Sequence, residues 1–370
     1  MSKLVSKVVS KVKGAEVADD DREGRVREVD RAQSVRIAVN RGPISDLAVS
    51  PDGGRLLVVN HGSDSVSLID TDTRRVTGII AGLHEPFVVA VGGHGGGRAY
   101  VSTASPAYDA IAVIDAQANA VIATHPVALR VSDLAASPDG MRVYVGRNGS
   151  DGTDLAVLDT ATGCVGTVEL PDATRDSTQC VRVSPDGSHL YVATNGPAGG
   201  QVFVVRAHGT PRVVGRVGIG SPIRDVALGP DGTSVCVASS AADAGAVVDV
   251  IDTRRHTITR TRSVDDIGGI LTGLSISGDG DRAYLVSDCG ITVLCTLTHD
   301  IIGAVAVPEP SRVLESPDAK WLYIADYSGA VTVLPVGSIT GRETGDEARG
   351  ETGVEGLLLS DLLAPDPAFA

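Results

Sequence analysis

A chain of 370 residues, 42% of them hydrophobic, is long enough to bury one large core or two ordinary ones. Aromatic residues make up only 3%, so Val, Ala, Gly and Leu carry the apolar load, as in a fold of many short strands and tight turns. The 32 basic residues face 46 acidic ones, and a net charge of −14 repels phosphate backbones, which excludes nucleic acid as a partner of the protein body.

The chain opens with MSKLVSKVVSKVK, in which Ser-Lys recurs every four residues and Leu4, Val5, Val8, Val9 and Val12 share one helical stripe. Such a basic amphipathic segment can make weak peripheral contact with an anionic membrane or a partner groove. Alone in water it is too short to hold a helix. Its apolar pairs are broken by Ser-Lys, so it lacks a signal-peptide core, and no run in the chain reaches the roughly 18 apolar residues of a membrane span. The expected location is cytoplasmic, with any membrane contact at the inner face. Residues 14–33 are strongly charged and complete a flexible tail over 1–33.

From residue 34 the chain repeats. Ser50-Pro51-Asp52-Gly53 returns as Ser137-Pro138-Asp139-Gly140, Ser184-Pro185-Asp186-Gly187, Gly229-Pro230-Asp231-Gly232, Ser277-Gly278-Asp279-Gly280 and Ser316-Pro317-Asp318-Ala319. A degenerate copy, Val91-Gly92-Gly93-His94-Gly95, fills the first gap and makes seven. Proline presets φ, aspartate bonds the backbone that follows it, and glycine supplies the positive φ that closes the turn. In the first repeat the flanking strands are 46–50 (DLAVS), 55–60 (RLLVVN), 65–70 (SVSLID) and about 76–80 (VTGII). Four strands per period of about 40–50 residues predict an all-β, seven-bladed propeller of four-stranded antiparallel blades over 34–337.

Later blades carry MRVYVGRN, HLYVATN and WLYIAD as second strands and AIAVID, LAVLDT and VVDVIDT as third strands. Ser-Pro-Asp-Gly, then Leu/Val-Tyr-Val, Asn and Val-x-Val-Ile-Asp-Thr resembles the YVTN family of β-propeller repeats across about 300 residues. The resemblance implies a propeller and leaves function open, because lactonase-type, WD-repeat and cytochrome d1 nitrite-reductase propellers do different work on one architecture.

The seventh repeat supplies three strands, at 312–316, 321–326 and 330–335, whereas 34–40 (SVRIAVN) is an orphan fourth strand. Pairing it with 330–334 would close the ring and remove an open edge. A closed ring is self-sufficient, so a monomer is expected. Residues 338–370 form an acidic, Gly-rich tail whose leucines, 357–359 and 362–363, suit either a strap on the propeller or a docking motif for another protein.

The five cysteines lack CxxC spacing and are expected as small core residues. No CxxCH, GxSxG, HExxH or P-loop sequence occurs, so no cofactor, metal or catalytic residue is assigned. In a propeller the loops leading into each first strand and those between second and third strands converge at one mouth of the central channel. Asp46, Asp133 and Asp225 recur at the starts of first strands, which points to structure, such as capping of loop amides. Residues that occur once are better site candidates. His61, His84 and Glu85, with Asp64, fall on neighbouring loops and could form an acid–base or metal cluster. Arg130, Arg175 and Arg312 could ring the mouth and hold a small anionic ligand, or pair with nearby acids. The expected function is non-enzymatic binding or scaffolding of a protein partner or small anion at this face. The alternative, implied by the resemblance, is lactonase-like hydrolysis of a phosphorylated sugar lactone.

Overall fold

The computed structural model describes residues 34–340, apart from 93–96, 129, 151, 241–244 and 266. The expectations for residues 1–33, for the acidic and leucine-rich segment after 340, and for His94 lie outside the described residues.

The repeating turn has the geometry its residues dictate. Ser50 Oγ donates to Asp52 Oδ1 at 2.5 Å, Asp52 accepts the Gly54 amide, and Ser50 Oγ accepts the Arg55 amide. Gly53 closes the turn at φ +73°, and a Cβ built on it would lie 3.5 Å from Pro317 of the corresponding turn one blade back. These turns start their hairpins and rest on their neighbours: Gly187 meets Pro138 and Gly232 meets Pro185 in the same way.

The first strand, β1 (Val35–Ala38), belongs to the last blade. Blade 1 is β2 (Ile44–Val49), β3 (Arg55–Asn60), β4 (Ser65–Asp70) and β5 (Arg75–Ala81). Blade 2 is β6 (Val89–Val91), β7 (Arg98–Ala104), β8 (Asp109–Asp115) and β9 (Ala120–Pro126). Blade 3 follows as β10 (Arg130–Ala136), β11 (Arg142–Gly149), β12 (Gly152–Asp159) and β13 (Val165–Glu169). Blade 4 comprises β14 (Ser177–Val183), β15 (His189–Gly196), β16 (Gly199–Arg206) and β17 (Arg212–Gly218). In blade 5 these are β18 (Ile223–Leu228), β19 (Ser234–Ser240), β20 (Ala246–Asp252) and β21 (Thr257–Val264). Blade 6 holds β22 (Leu271–Ile276), β23 (Arg282–Ser287), β24 (Gly290–Cys295) and β25 (Ile301–Val305). Blade 7 has β26 (Pro310–Glu315), β27 (Trp321–Asp326) and β28 (Ala330–Pro335), and β1 is its outer strand.

Seven antiparallel four-stranded sheets therefore form the ring. β1 pairs with β28 from Val35↔Val333 to Ala38↔Ala330, the partner that the orphan strand lacks in sequence. Ile37 and Val39 are buried by this pairing, and the Val39 amide donates to Gly329 O at 3.1 Å. The core is a series of inter-blade layers, such as Tyr144, Leu155, Val192 and Phe203 between blades 3 and 4. Cys180 and Cys236 lie in these layers, whereas Cys164 and Cys289 are exposed and Cys295 is half-buried. The expectation of core cysteines therefore holds for two of the five.

After β28 a single helical turn, α1 (Val336–Thr340), packs on the outer strand of blade 6. Ile339 occupies the space that a side chain on Gly303 of β25 would need, and its Cγ2 would stand 2.9 Å from a Cβ placed there. The tail boundary expected at 337/338 falls inside this helix.

Candidate functional site

Two groups of residues mark this structure: an ionic chain inside the channel and an aromatic patch on the mouth face. The channel is lined by the first strand of each blade. In six of the seven blades this strand carries a bulge near its start, as between Ile44 and Asp46 or Pro310 and Arg312. A bulge re-aims the residue that follows it. That residue is four before the first position of the turn, and in blades 1, 3, 5 and 7 it is Asp46, Asp133, Asp225 and Arg312.

These side chains form one continuous ionic chain with Arg182. Arg182 donates to Asp133 at 2.6 Å and to Asp225 at 2.5 Å. Arg312 reaches across the channel, donating through Nε to Asp46 at 2.9 Å and through Nη1 to Asp225 at 3.0 Å. Each aspartate also accepts a main-chain amide from the next blade: Asp46 from Val89, Asp133 from Val181 and Asp225 from Leu274. All seven blades touch this one network. The recurring aspartates are structural, as their repetition implies, but they cap strand amides of the neighbouring blade rather than loop amides.

Burial and charge oppose each other along the chain. Burial pushes the Asp46 carboxyl above the ordinary carboxylate range, and Arg312 only partly offsets it. Burial acts in the same direction on Asp225, but Arg182 and Arg312 outweigh it and hold that carboxyl low. Both guanidiniums are held charged by their carboxylate partners despite burial. Burial also raises the Cys180 thiol, which shares the channel wall, so it is a poor nucleophile. Three carboxylates surround two guanidiniums, and no net positive charge is left in this cluster for an anion.

The structure therefore moves Arg312 from the predicted mouth ring into the channel. Arg130 and Arg175 are exposed and have no ion pair among the described residues. Arg182 escapes the sequence reading, although it carries a signal. Counting back two from the turn gives Ala48, Ala135 and Ala227 in blades 1, 3 and 5, and Arg182 replaces that small residue in blade 4.

The predicted histidine loops do meet. Asp64 Oδ1 accepts the Glu85 amide at 3.0 Å, with Glu85 at φ +42°. The His61 ring is 3.1 Å from Pro86 O and stands edge-on to Phe87 with centroids 6.0 Å apart. The side chains of His84 and Glu85 are exposed and have no side-chain hydrogen bond or ion pair among the described residues. No group of three His, Cys, Asp or Glu able to hold a metal occurs among the described residues. Among the described residues the loops are joined by side-chain contacts to main chain and one aromatic contact, not through an acid–base pair.

That contact belongs to a larger patch. Phe87, Tyr108 and Tyr327 are exposed, whereas Phe203, Tyr100, Tyr144, Tyr191, Tyr284 and Tyr323 are buried. All three exposed rings lie on mouth-face loops of blades 7, 1 and 2, which are consecutive. Close backbone contacts link these loops. Gly329, two residues after Tyr327, lies against Gly42, and Gly42 lies against Gly62. The His61 amide donates to Pro43 O, and the Phe87 amide donates to Ser102 O near the Tyr108 turn. Gly62 must be glycine here, because a Cβ would stand 2.8 Å from Pro43 Cδ. The sequence does not flag Phe87, because nothing beside it separates an exposed ring from a core ring.

Comparison with known proteins places this geometry. The chain is 49% identical over 361 residues to the seven-bladed beta-propeller protein Rv1057 of Mycobacterium tuberculosis, covering 89% of this chain and 92% of the relative. Among solved structures it is similar to hydrazine synthase of Kuenenia stuttgartiensis, with a TM-score of 0.71 and 24% identity over 88% of this chain and 99% of that one, a likeness of fold alone. No family model matches, so the finer resemblance to YVTN or lactonase-type repeats has no match behind it. No helix among the described residues is long and apolar enough to cross a membrane.

Proposed function

We propose, from the premise that this chain belongs to the seven-bladed β-propeller family of its mycobacterial relative, that it is a non-enzymatic binding protein. Its partner is a protein or peptide, held on the mouth face over blades 7, 1 and 2, and it acts as a cytoplasmic monomer. The observation that carries this reading is the placement of the three exposed aromatic rings, Phe87, Tyr108 and Tyr327, on one contiguous set of loops. Aromatic side chains are enriched in interface centres, where they bury large area at low entropic cost. His61, His84 and Glu85 border the patch and would supply polar contacts at its rim.

The lactonase-like alternative requires cationic groups converging on a phosphate. Arg312 is already committed to Asp46 and Asp225, which argues for the binding reading.

The test is quantitative cross-linking and mass spectrometry with the intact chain and an F87A/Y327A variant in its native cell extract. Losing two interface anchors should weaken a true partner by about 2–4 kcal/mol, roughly thirty- to a thousandfold. A partner lost from the variant while the melting temperature stays constant supports the proposal. Identical partner sets for both proteins, or turnover of a sugar-phosphate lactone abolished by Arg130→Ala, would overturn it.

A further inference from the structure

Positive charge in this acidic protein is concentrated where neither the channel nor the mouth face uses it. From residue 253 to 264 the chain carries Arg254, Arg255, Arg260 and Arg262 and no carboxylate. The four arginines are exposed, and every residue of β21 from Thr257 to Ser263 faces solvent. The adjoining hairpin of blade 4 adds exposed Arg206 and Arg212. His189 and His256 meet edge-on at 6.4 Å where the two blades touch. Arg206, Arg212, Arg254 and Arg255 have no salt-bridge partner among the described residues, whereas Arg262 stands 3.9 Å from exposed Asp300 and Arg260 donates to Leu297 O. As an outer strand, β21 also offers unpaired main-chain groups along its free edge.

Beside this strip a cleft of about 500 Å³ opens between blades 5 and 6, lined by Val250, Thr259 and Arg260 on one side and by Ile276, Leu297 and His299 on the other. Leu297 is 74% exposed at its rim. His299 is only 7% exposed, and its Nδ1 has no hydrogen-bond partner. A cleft with an apolar rim, an unpaired buried nitrogen and a bank of arginines is built for a segment that carries both leucines and carboxylates.

The chain itself holds such a segment. The described residues end with α1, packed on β25 of blade 6, one blade from β21. Residues 341–370 contain seven acidic residues and two basic ones, a net of −5, together with the leucines at 357–359 and 362–363. Leu357 lies 17 residues beyond Thr340. Extended, that stretch spans roughly 55 Å, against roughly 15–20 Å for the width of a four-stranded sheet. Elsewhere the body repels this segment, since residues 34–340 hold 32 acidic and 22 basic side chains.

We infer that the C-terminal segment 341–370 docks on its own propeller, its carboxylates along Arg254, Arg255, Arg260 and Arg262 and its leucines in the cleft around Leu297. The strap covers the edge of β21 and leaves the aromatic mouth face free.

Hydrogen–deuterium exchange on the full chain tests this directly. In the wild type, amides of 341–370 and of β21 should exchange at least about tenfold more slowly than in an R254E/R255E/R260E/R262E variant. A chain ending at Thr340 should expose β21 to the same degree, and 0.5 M NaCl should erode the wild-type protection by screening. The salt titration needs no substitution, so it decides the matter even if the fourfold variant fails to fold. A further variant, L357D/L358D/L359D, should release protection around residues 296–299. Tail amides that exchange at the unprotected rate in the wild type would overturn the inference, as would protection unchanged by charge reversal or salt. Protection of β21 only on adding anionic vesicles or duplex DNA would also overturn it, by assigning the strip to another partner.

Discussion

Replacing Arg182 with methionine cuts the ionic chain at its most connected cation. Arg182 donates to Asp133, Asp225, Val226 O and Val181 O, so the substitution strips charge compensation from two carboxylates and hydrogen bonds from two carbonyls. Asp225 keeps Arg312, but Asp133, 4% exposed, loses its only cationic partner among the described residues. Removing one partner of a buried pair costs about 3–5 kcal/mol. The arginine is 24% exposed to channel water, which places the expected cost near the lower end, about 3 kcal/mol. For a domain of roughly 300 residues, with unfolding entropy of about 2 cal/mol/K per residue, this lowers the melting temperature by about 5 °C. The measurement is urea denaturation of both proteins at pH 7, supported by calorimetry. A second variant, R182M/D133N, removes the stranded charge and should recover at least half of the loss. A single-variant cost below about 0.5 kcal/mol would show that Arg182 does not hold the buried carboxylates in place, as would a double variant whose cost is the sum of the two single costs.

Two further outcomes follow from the same structure. Deleting residues 34–40 removes β1, its pairing with β28 and the buried Ile37 and Val39, and should lower the melting temperature by at least 10 °C or abolish soluble expression; an unchanged melting curve would show that β1 does not close the ring. Asp225→Asn should cost more stability at pH 7 than Asp46→Asn, because two guanidiniums hold Asp225 ionised whereas burial works against the Asp46 charge. Since the folded-state pKa of Asp225 is lowered, its contribution is complete above the ordinary carboxylate range and disappears only as pH falls through the lowered value. Asp46 behaves oppositely: its raised folded-state value means that its charge costs stability at neutral pH, a cost relieved as pH falls toward that value. Denaturant titrations of both variants at pH 7 and pH 3 read these slopes, and equal costs at pH 7 would contradict them.

Much of the fold is legible in sequence because the blade turn depends on local chemistry. Ser, Pro, Asp and Gly each do a separate job within four residues, so the motif survives translation into structure at Ser50, Ser137 and Ser184 alike. Blade 2 lost that motif, and its first strand, β6, is the shortest in the ring at three residues. The sites are less legible for two physical reasons. A channel wall and an outer surface look alike in a strand, since both alternate apolar and polar residues, and Arg182 in CVRVS resembles a solvent-facing side chain. A bulge also shifts which side of the strand a residue occupies, which carries Arg312 from the expected mouth into the channel. The aromatic patch depends on loops from three blades meeting, and no single repeat contains it.

The ionic chain has a consequence for how this ring can evolve. Repeat proteins commonly gain or lose units by duplication, because each unit contacts only its neighbours. Here Arg312 in blade 7 binds Asp225 in blade 5, and the arginines of blades 4 and 7 replace the alanine and the aspartate that blades 1, 3 and 5 share. The network numbers the blades. A duplicated or deleted blade would misplace a charge that has no other partner, whereas a chain cut and rejoined elsewhere on the ring would keep every contact. The network therefore ties this ring to a fixed number of blades.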